Sequence, residues 1–138
     1  MPDFKELIDR LKINEGFRAK VYQCTEGFDT IGYGFAIKDL ELTEEEASLL
    51  LANRVAKKHL EISKRFDWYD SMPAEVQGVI IEMCYQLGIT GFSKFKKAIA
   101  HMKESEWRLA SAEMLDSLWA IQTPNRAKQL AGIVAEHG

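Results

Sequence analysis

The stretch Asn14 to Gly34, NEGFRAKVYQCTEGFDTIGYG, brings an acid, Glu15, a thiol, Cys24, and a hydroxyl, Thr30, into one short span. Four glycines punctuate it, Gly16, Gly27, Gly32 and Gly34, each at a possible bend. Glycine loosens a strand and marks a turn, a bulge or a close backbone approach. The pattern therefore reads as a hairpin that positions reactive groups. A carboxylate at a helix exit is held by a rigid element yet faces the next segment, which suits a catalytic acid. Each residue alone has a plainer reading: Glu15 as a solvated terminal side chain, Thr30 as an ordinary strand former.

The flanking elements follow from periodicity. Asp3 caps a first helix in which Phe4, Leu7, Ile8 and Leu11 share one face, with Ile13 and Asn14 at its end. Residues 18–23 and 28–35 are β-branched and aromatic around a Thr-Glu-Gly turn. They read as a β-hairpin with a bent return strand, and a third short strand follows at Phe35 to Ile37. An isolated hairpin is marginal in water and must lean on helices. Thr43 and Glu46 form a capping box opening a helix to about Arg65, with an acidic first turn that suits its dipole. Ala47, Leu50, Leu51, Val55, Leu60 and Ile62 supply its apolar stripe. Pro73 is placed as a first-turn proline, and Val76, Val79, Ile80, Met83, Cys84 and Leu87 form the central core helix, closed by Gly88. Phe92, Phe95 and Ile99 mark a further turn or two. Another helix is expected over Glu104 to Leu115 with Trp107 on its apolar side, and a last one from Pro124 to about Ala135, capped by Thr123.

The chain has 138 residues, 46% hydrophobic and 28% charged, a single-domain length able to bury a core without staples. No apolar run is long enough to span a bilayer, and the N-terminus lacks the apolar core of a signal peptide. A net charge of −3 argues against general nucleic-acid affinity. Two cysteines make no disulfide framework. Cys84 reads as core filler, and Cys24, beside a turn, is the thiol that needs explaining. There is no G-x-S-x-G, the histidines His59, His101 and His137 are far apart, and no spacing forms a metal-ligand set.

Glu15-Gly16, Cys24-Thr25-Glu26-Gly27 and Thr30-Ile31-Gly32-Tyr33-Gly34 together resemble the catalytic hairpin of the phage-type lysozymes, glycoside hydrolase family 24. Met83-Cys84-Tyr85-Gln86-Leu87-Gly88 resembles that family's central helix. Trp119 with Gln122-Thr123-Pro124-Asn125-Arg126-Ala127 resembles its C-terminal signature. The resemblance covers about residues 4 to 131, and the hairpin motif followed by the QTPNRA segment is very specific. It implies an α+β, mostly α, lysozyme-like fold in one domain: a hairpin lobe over about 14–42, a helical lobe over 1–13 and 66–138, and a connecting helix over about 43–65.

The implied activity is a muramidase, cleaving the β-1,4 bond between N-acetylmuramic acid and N-acetylglucosamine in peptidoglycan. Glycoside cleavage needs an acid for the leaving oxygen and a second group across the sugar. Glu15 matches the family's general acid and Thr30 the threonine that holds the attacking water. Glu26 and Gln86 match positions lining the sugar cleft, and Arg126 an arginine that pairs with the catalytic Glu. Cys24 departs from the commonest residue, Asp, and is similar to a subset carrying Cys; nucleophile, negative charge and water placement all stay open for it. Phe35 stands where many relatives carry His. The acidic balance is unlike many basic wall lysozymes. The alternative is a low-turnover peptidoglycan-binding or regulatory protein on the same scaffold. The expectation is a monomer acting on peptidoglycan without cofactor or metal. It is held in the host cytoplasm until release to the periplasm or wall, as an endolysin or a virion part.

Overall fold

A computed structural model describes residues 1–137. It is mostly helical with one small antiparallel sheet, in the order α1 (Phe4–Glu15), β1 (Arg18–Gln23), β2 (Asp29–Gly32), β3 (Phe35–Ala36), α2 (Glu44–Arg65), α3 (Ala74–Ser93), α4 (Lys96–Lys103), α5 (Trp107–Leu115), α6 (Leu118–Gln122) and α7 (Pro124–Glu136). This is the expected lysozyme-like α+β class. The chain divides into two compact units, Met1–Ala47 and the remainder from Ser48.

In the first unit, the Asp3 carboxylate accepts a hydrogen bond from the Glu6 N–H at 3.1 Å and starts α1. The helix continues past Ile13 and Asn14, so Glu15 is its last residue. Gly16 then turns away at φ +70° while its N–H closes on the Lys12 carbonyl at 3.0 Å. A left-handed residue after the last turn is a common helix stop, and glycine takes it without a Cβ penalty. The sheet has the order β1-β2-β3. Tyr22 pairs with Thr30, Gln23 with Asp29, Thr30 with Ala36 and Ile31 with Phe35, and the β1–β2 register shifts between Arg18 and Tyr22. The third strand stops one residue short of the expected Ile37, which begins a single 3-10 turn to Asp39.

The capping box forms as read: Thr43 N–H donates to the Glu46 carboxylate at 3.0 Å, and Glu46 N–H donates to the Thr43 hydroxyl at 3.1 Å. The expected apolar stripe of α2 needs correction. Among its residues only Ile62 is buried, and Leu60 lies outside. Residues two apart on a helix point about 200° away from each other, so one stripe cannot hold both.

From Ser48 onward the core is continuous. Val76, Val79, Ile80, Met83 and Cys84 form one buried face of α3, against Ile62, Tyr69, Phe92 and residues of α4 to α7. Pro73 precedes α3 as its cap residue rather than sitting in the first turn. Gly88, at φ +78°, interrupts α3, as its expected closing role requires. The helix expected to begin at Glu104 begins at Trp107 instead. Ser105 takes a left-handed φ of +56°, and Glu106 N–H returns to the His101 carbonyl at 2.9 Å, so residues 104–106 form the corner between α4 and α5. Pro124 is in the first turn of α7, as expected. Thr123 does not cap with its side chain; its hydroxyl donates to the Trp119 carbonyl at 3.0 Å. Among the described residues no helix is long and apolar enough to cross a membrane.

Candidate functional site

Glu15, Cys24, Glu26 and Thr30 all lie in the unit Met1–Ala47, where a short turn organises three of them. Gly27 N–H donates to the Cys24 carbonyl at 2.8 Å, and Cys24 N–H donates to the Phe28 carbonyl at 3.0 Å. These bonds fold residues 24–28 into a tight corner at the end of β1. Gly27, at φ +84°, supplies the left-handed residue this corner needs. The Phe28 carbonyl also accepts the Thr30 hydroxyl at 2.9 Å. Lys38 Nζ sits 3.8 Å from the centre of the Phe28 ring, so the residue carrying this shared acceptor is held by a cation–π contact as well.

Thr30 is the one buried residue of this unit, at 4% exposure. A unit this small buries a polar side chain only when its hydrogen bonds are met. Burial and the Phe28 bond together fix the hydroxyl beside Cys24.

The Cys24 thiol is half-buried and its pKa is lowered from the ordinary thiol value. The backbone N–H of Phe28 is the largest cause and that of Glu26 the second. The Thr30 hydroxyl contributes less, and partial desolvation and the Glu26 carboxylate oppose. Backbone N–H dipoles close to a thiol favour its anion. Thr30 has one hydroxyl proton. Against a neutral thiol it stays on the Phe28 carbonyl and a lone pair faces the sulfur; against a thiolate it can turn to the sulfur. Cys84, by contrast, is buried in α3, and desolvation pushes its pKa up to about 12. Iodoacetamide at pH 7 to 8 is therefore expected to label Cys24 in the folded protein, on a rate–pH curve below that of free cysteine, and to leave Cys84 untouched. Mass analysis of the labelled peptides checks this; preferential labelling of Cys84 would contradict it.

Glu15 is exposed at the end of α1, and its carboxylate lies over the Gly34 backbone in the β2–β3 turn. The other two candidates lie in the second unit. The Gln86 side-chain carbonyl accepts the Trp119 indole N–H at 2.9 Å. Trp119 in turn lines a cavity of about 570 Å³ with Leu87, Phe95 and Gln122, rimmed by Lys94, Lys97, Glu113 and Asp116. Arg126 Nε donates to the Glu82 carboxylate at 3.0 Å.

Sequence reasoning passed over Glu82, Lys38 and the Phe28 carbonyl. For Glu82 a signal existed: it precedes Gln86 by four residues, so both project from one face of α3. Among the described residues no group of three His, Cys, Asp or Glu side chains could hold a metal ion.

The family model for phage lysozyme matches residues 12–136. Two proteins of Dictyostelium discoideum are similar over most of their length. Probable T4-type lysozyme 1 is 28% identical, with 91% of each chain covered. Probable T4-type lysozyme 2 is 27% identical, with 92% of each covered. The pre-baseplate central spike protein Gp5 of Enterobacteria phage T4 is 28% identical over 93% of this chain but only 27% of its own length.

Proposed function

Because the chain belongs to the phage lysozyme family, we propose that it is a muramidase hydrolysing the β-1,4 bond between N-acetylmuramic acid and N-acetylglucosamine in peptidoglycan. The observation that carries this is the grouping in residues 1–47 of an exposed acid at a helix end with a thiol whose pKa is lowered and a fixed hydroxyl. Glu15 protonates the leaving oxygen. Thr30, with its hydroxyl fixed, places water, and Cys24 supplies negative charge next to it. Glu26, Gln86 and Arg126 contribute to sugar binding. The domain acts as a monomer on the wall after release from the cytoplasm that made it, and lyses the cell.

Mass analysis of fragments released from purified peptidoglycan tests the proposal. Reducing ends on muramic acid are the expected product. Reducing ends on glucosamine, or binding to insoluble wall without release, would overturn it. The anomer formed first assigns a retaining or inverting course.

A further inference from the structure

We propose that Gly34 is a positioning residue for the Glu15 carboxylate, and that the absence of a side chain at this position is what seats the acid. The inference rests on the reading of Glu15 as the acid. A Cβ built on Gly34 would lie 2.5 Å from Glu15 Oε2, 3.1 Å from its Cδ and 3.6 Å from its Cβ. The carboxyl group thus occupies the space that any side chain at 34 would fill.

Among the described residues five glycines have a positive φ, which alone favours glycine. At Gly16, Gly27 and Gly88 an added Cβ would meet nothing within 4 Å, so backbone conformation is the sole demand there. At Gly32 it would meet the Phe35 ring, a neighbour in the same turn. Gly34 alone, at φ +77°, faces an acid from another element.

The contact is reinforced on both sides. Tyr33, which precedes Gly34, takes the Phe17 ring at 5.6 Å between centroids and Lys12 Nζ at 5.7 Å. Lys12 is one helical turn before Glu15, and Phe17 is two residues after it. Three contacts therefore fix the end of α1 against the β2–β3 turn, and the middle one is the acid itself. A solvent-exposed glutamate would otherwise sample several rotamers. Seated on Gly34, it presents its carboxyl group in one place.

Steady-state kinetics of the full chain on peptidoglycan, with a melting curve for each variant, test the proposal. Gly34→Ala is expected to lower kcat by about 10- to 100-fold with KM changed less than about 3-fold, as for a misplaced reacting group. Gly88→Ala has the same backbone strain at φ +78° and open space for its methyl. It is expected to melt lower while keeping kcat within about 3-fold. In the Glu15→Asp background, whose acid is one methylene shorter, Gly34→Ala should cost less than about 3-fold more. Equal losses in both backgrounds, or a Gly34→Ala loss no larger than that of Gly88→Ala, would overturn the inference. Should Gly34→Ala fail to fold, the double variant Glu15→Ala/Gly34→Ala decides: recovery of a melting transition supports the seat, and its continued absence refutes it. A fully active Glu15→Gln would defeat the parent reading instead, whatever Gly34→Ala does.

Discussion

Glu15→Gln is expected to lower turnover of peptidoglycan by about 100-fold or more while leaving binding to insoluble wall intact. Glutamine has nearly the same shape as glutamate. It keeps the contact over Gly34 and leaves the helix stop at Gly16 undisturbed. What it lacks is a proton it can give. General acid catalysis contributes on the order of 100- to 10,000-fold, or about 3–5 kcal/mol of barrier. The plainer reading of Glu15, a solvated helix-end carboxylate, predicts no change in rate, because an exposed charge swap is worth little to stability. Turbidity clearing and a peptidoglycan pull-down on the same preparation separate the two readings. Wild-type clearing by the variant would remove Glu15 from the mechanism, and loss of both clearing and binding would point to damage of the fold.

Local features of this chain were legible because their causes are local. Asp3, the Thr43–Glu46 box and Gly88 act within one turn of themselves, and each does what its residue type and position dictate. The apolar face of α3 was legible for a related reason: five buried side chains at helical spacing leave only one side to bury. The misreadings have causes that no window of sequence contains. Ser105 is left-handed because the corner between α4 and α5 demands it, and serine carries no mark of that. The Thr123 hydroxyl had two partners within reach, the next helix or the Trp119 carbonyl behind it, and took the latter. In the candidate site, the types of Glu15, Cys24 and Thr30 were evident, and the corner that lowers the Cys24 pKa was implied by Thr-Glu-Gly. The partners were not: Arg126 meets Glu82 across 44 residues, and Glu15 meets Gly34 through a turn whose geometry only the fold supplies.

Cys24→Ala is expected to lose most of the activity, on the order of 100-fold, whereas Cys24→Asp should stay active. The argument is electrostatic. The backbone N–H groups of Phe28 and then Glu26 are the main causes that lower the Cys24 pKa, so this corner favours an anion at the sulfur. A carboxylate is an acceptor and can use the same donors. Alanine leaves the donors in place with no charge between them. Removing one group from a preorganised charge-stabilising set typically costs 100- to 1,000-fold in kcat. The thiol departs from the carboxylate in one respect: its charge forms through a pKa that is lowered but is still that of a thiol. Activity of the native enzyme should therefore rise with pH as the thiolate fraction grows, on a curve that follows the alkylation rate of Cys24, while Cys24→Asp should lack that rise. Comparing the rate–pH profiles of the three proteins distinguishes the roles. A native profile identical to that of Cys24→Asp would place the thiol's work in its neutral form, as a partner that orients the Thr30 hydroxyl and its water. An unimpaired Cys24→Ala would reduce Cys24 to a turn residue, and the fixed hydroxyl of Thr30 would have to place the water alone.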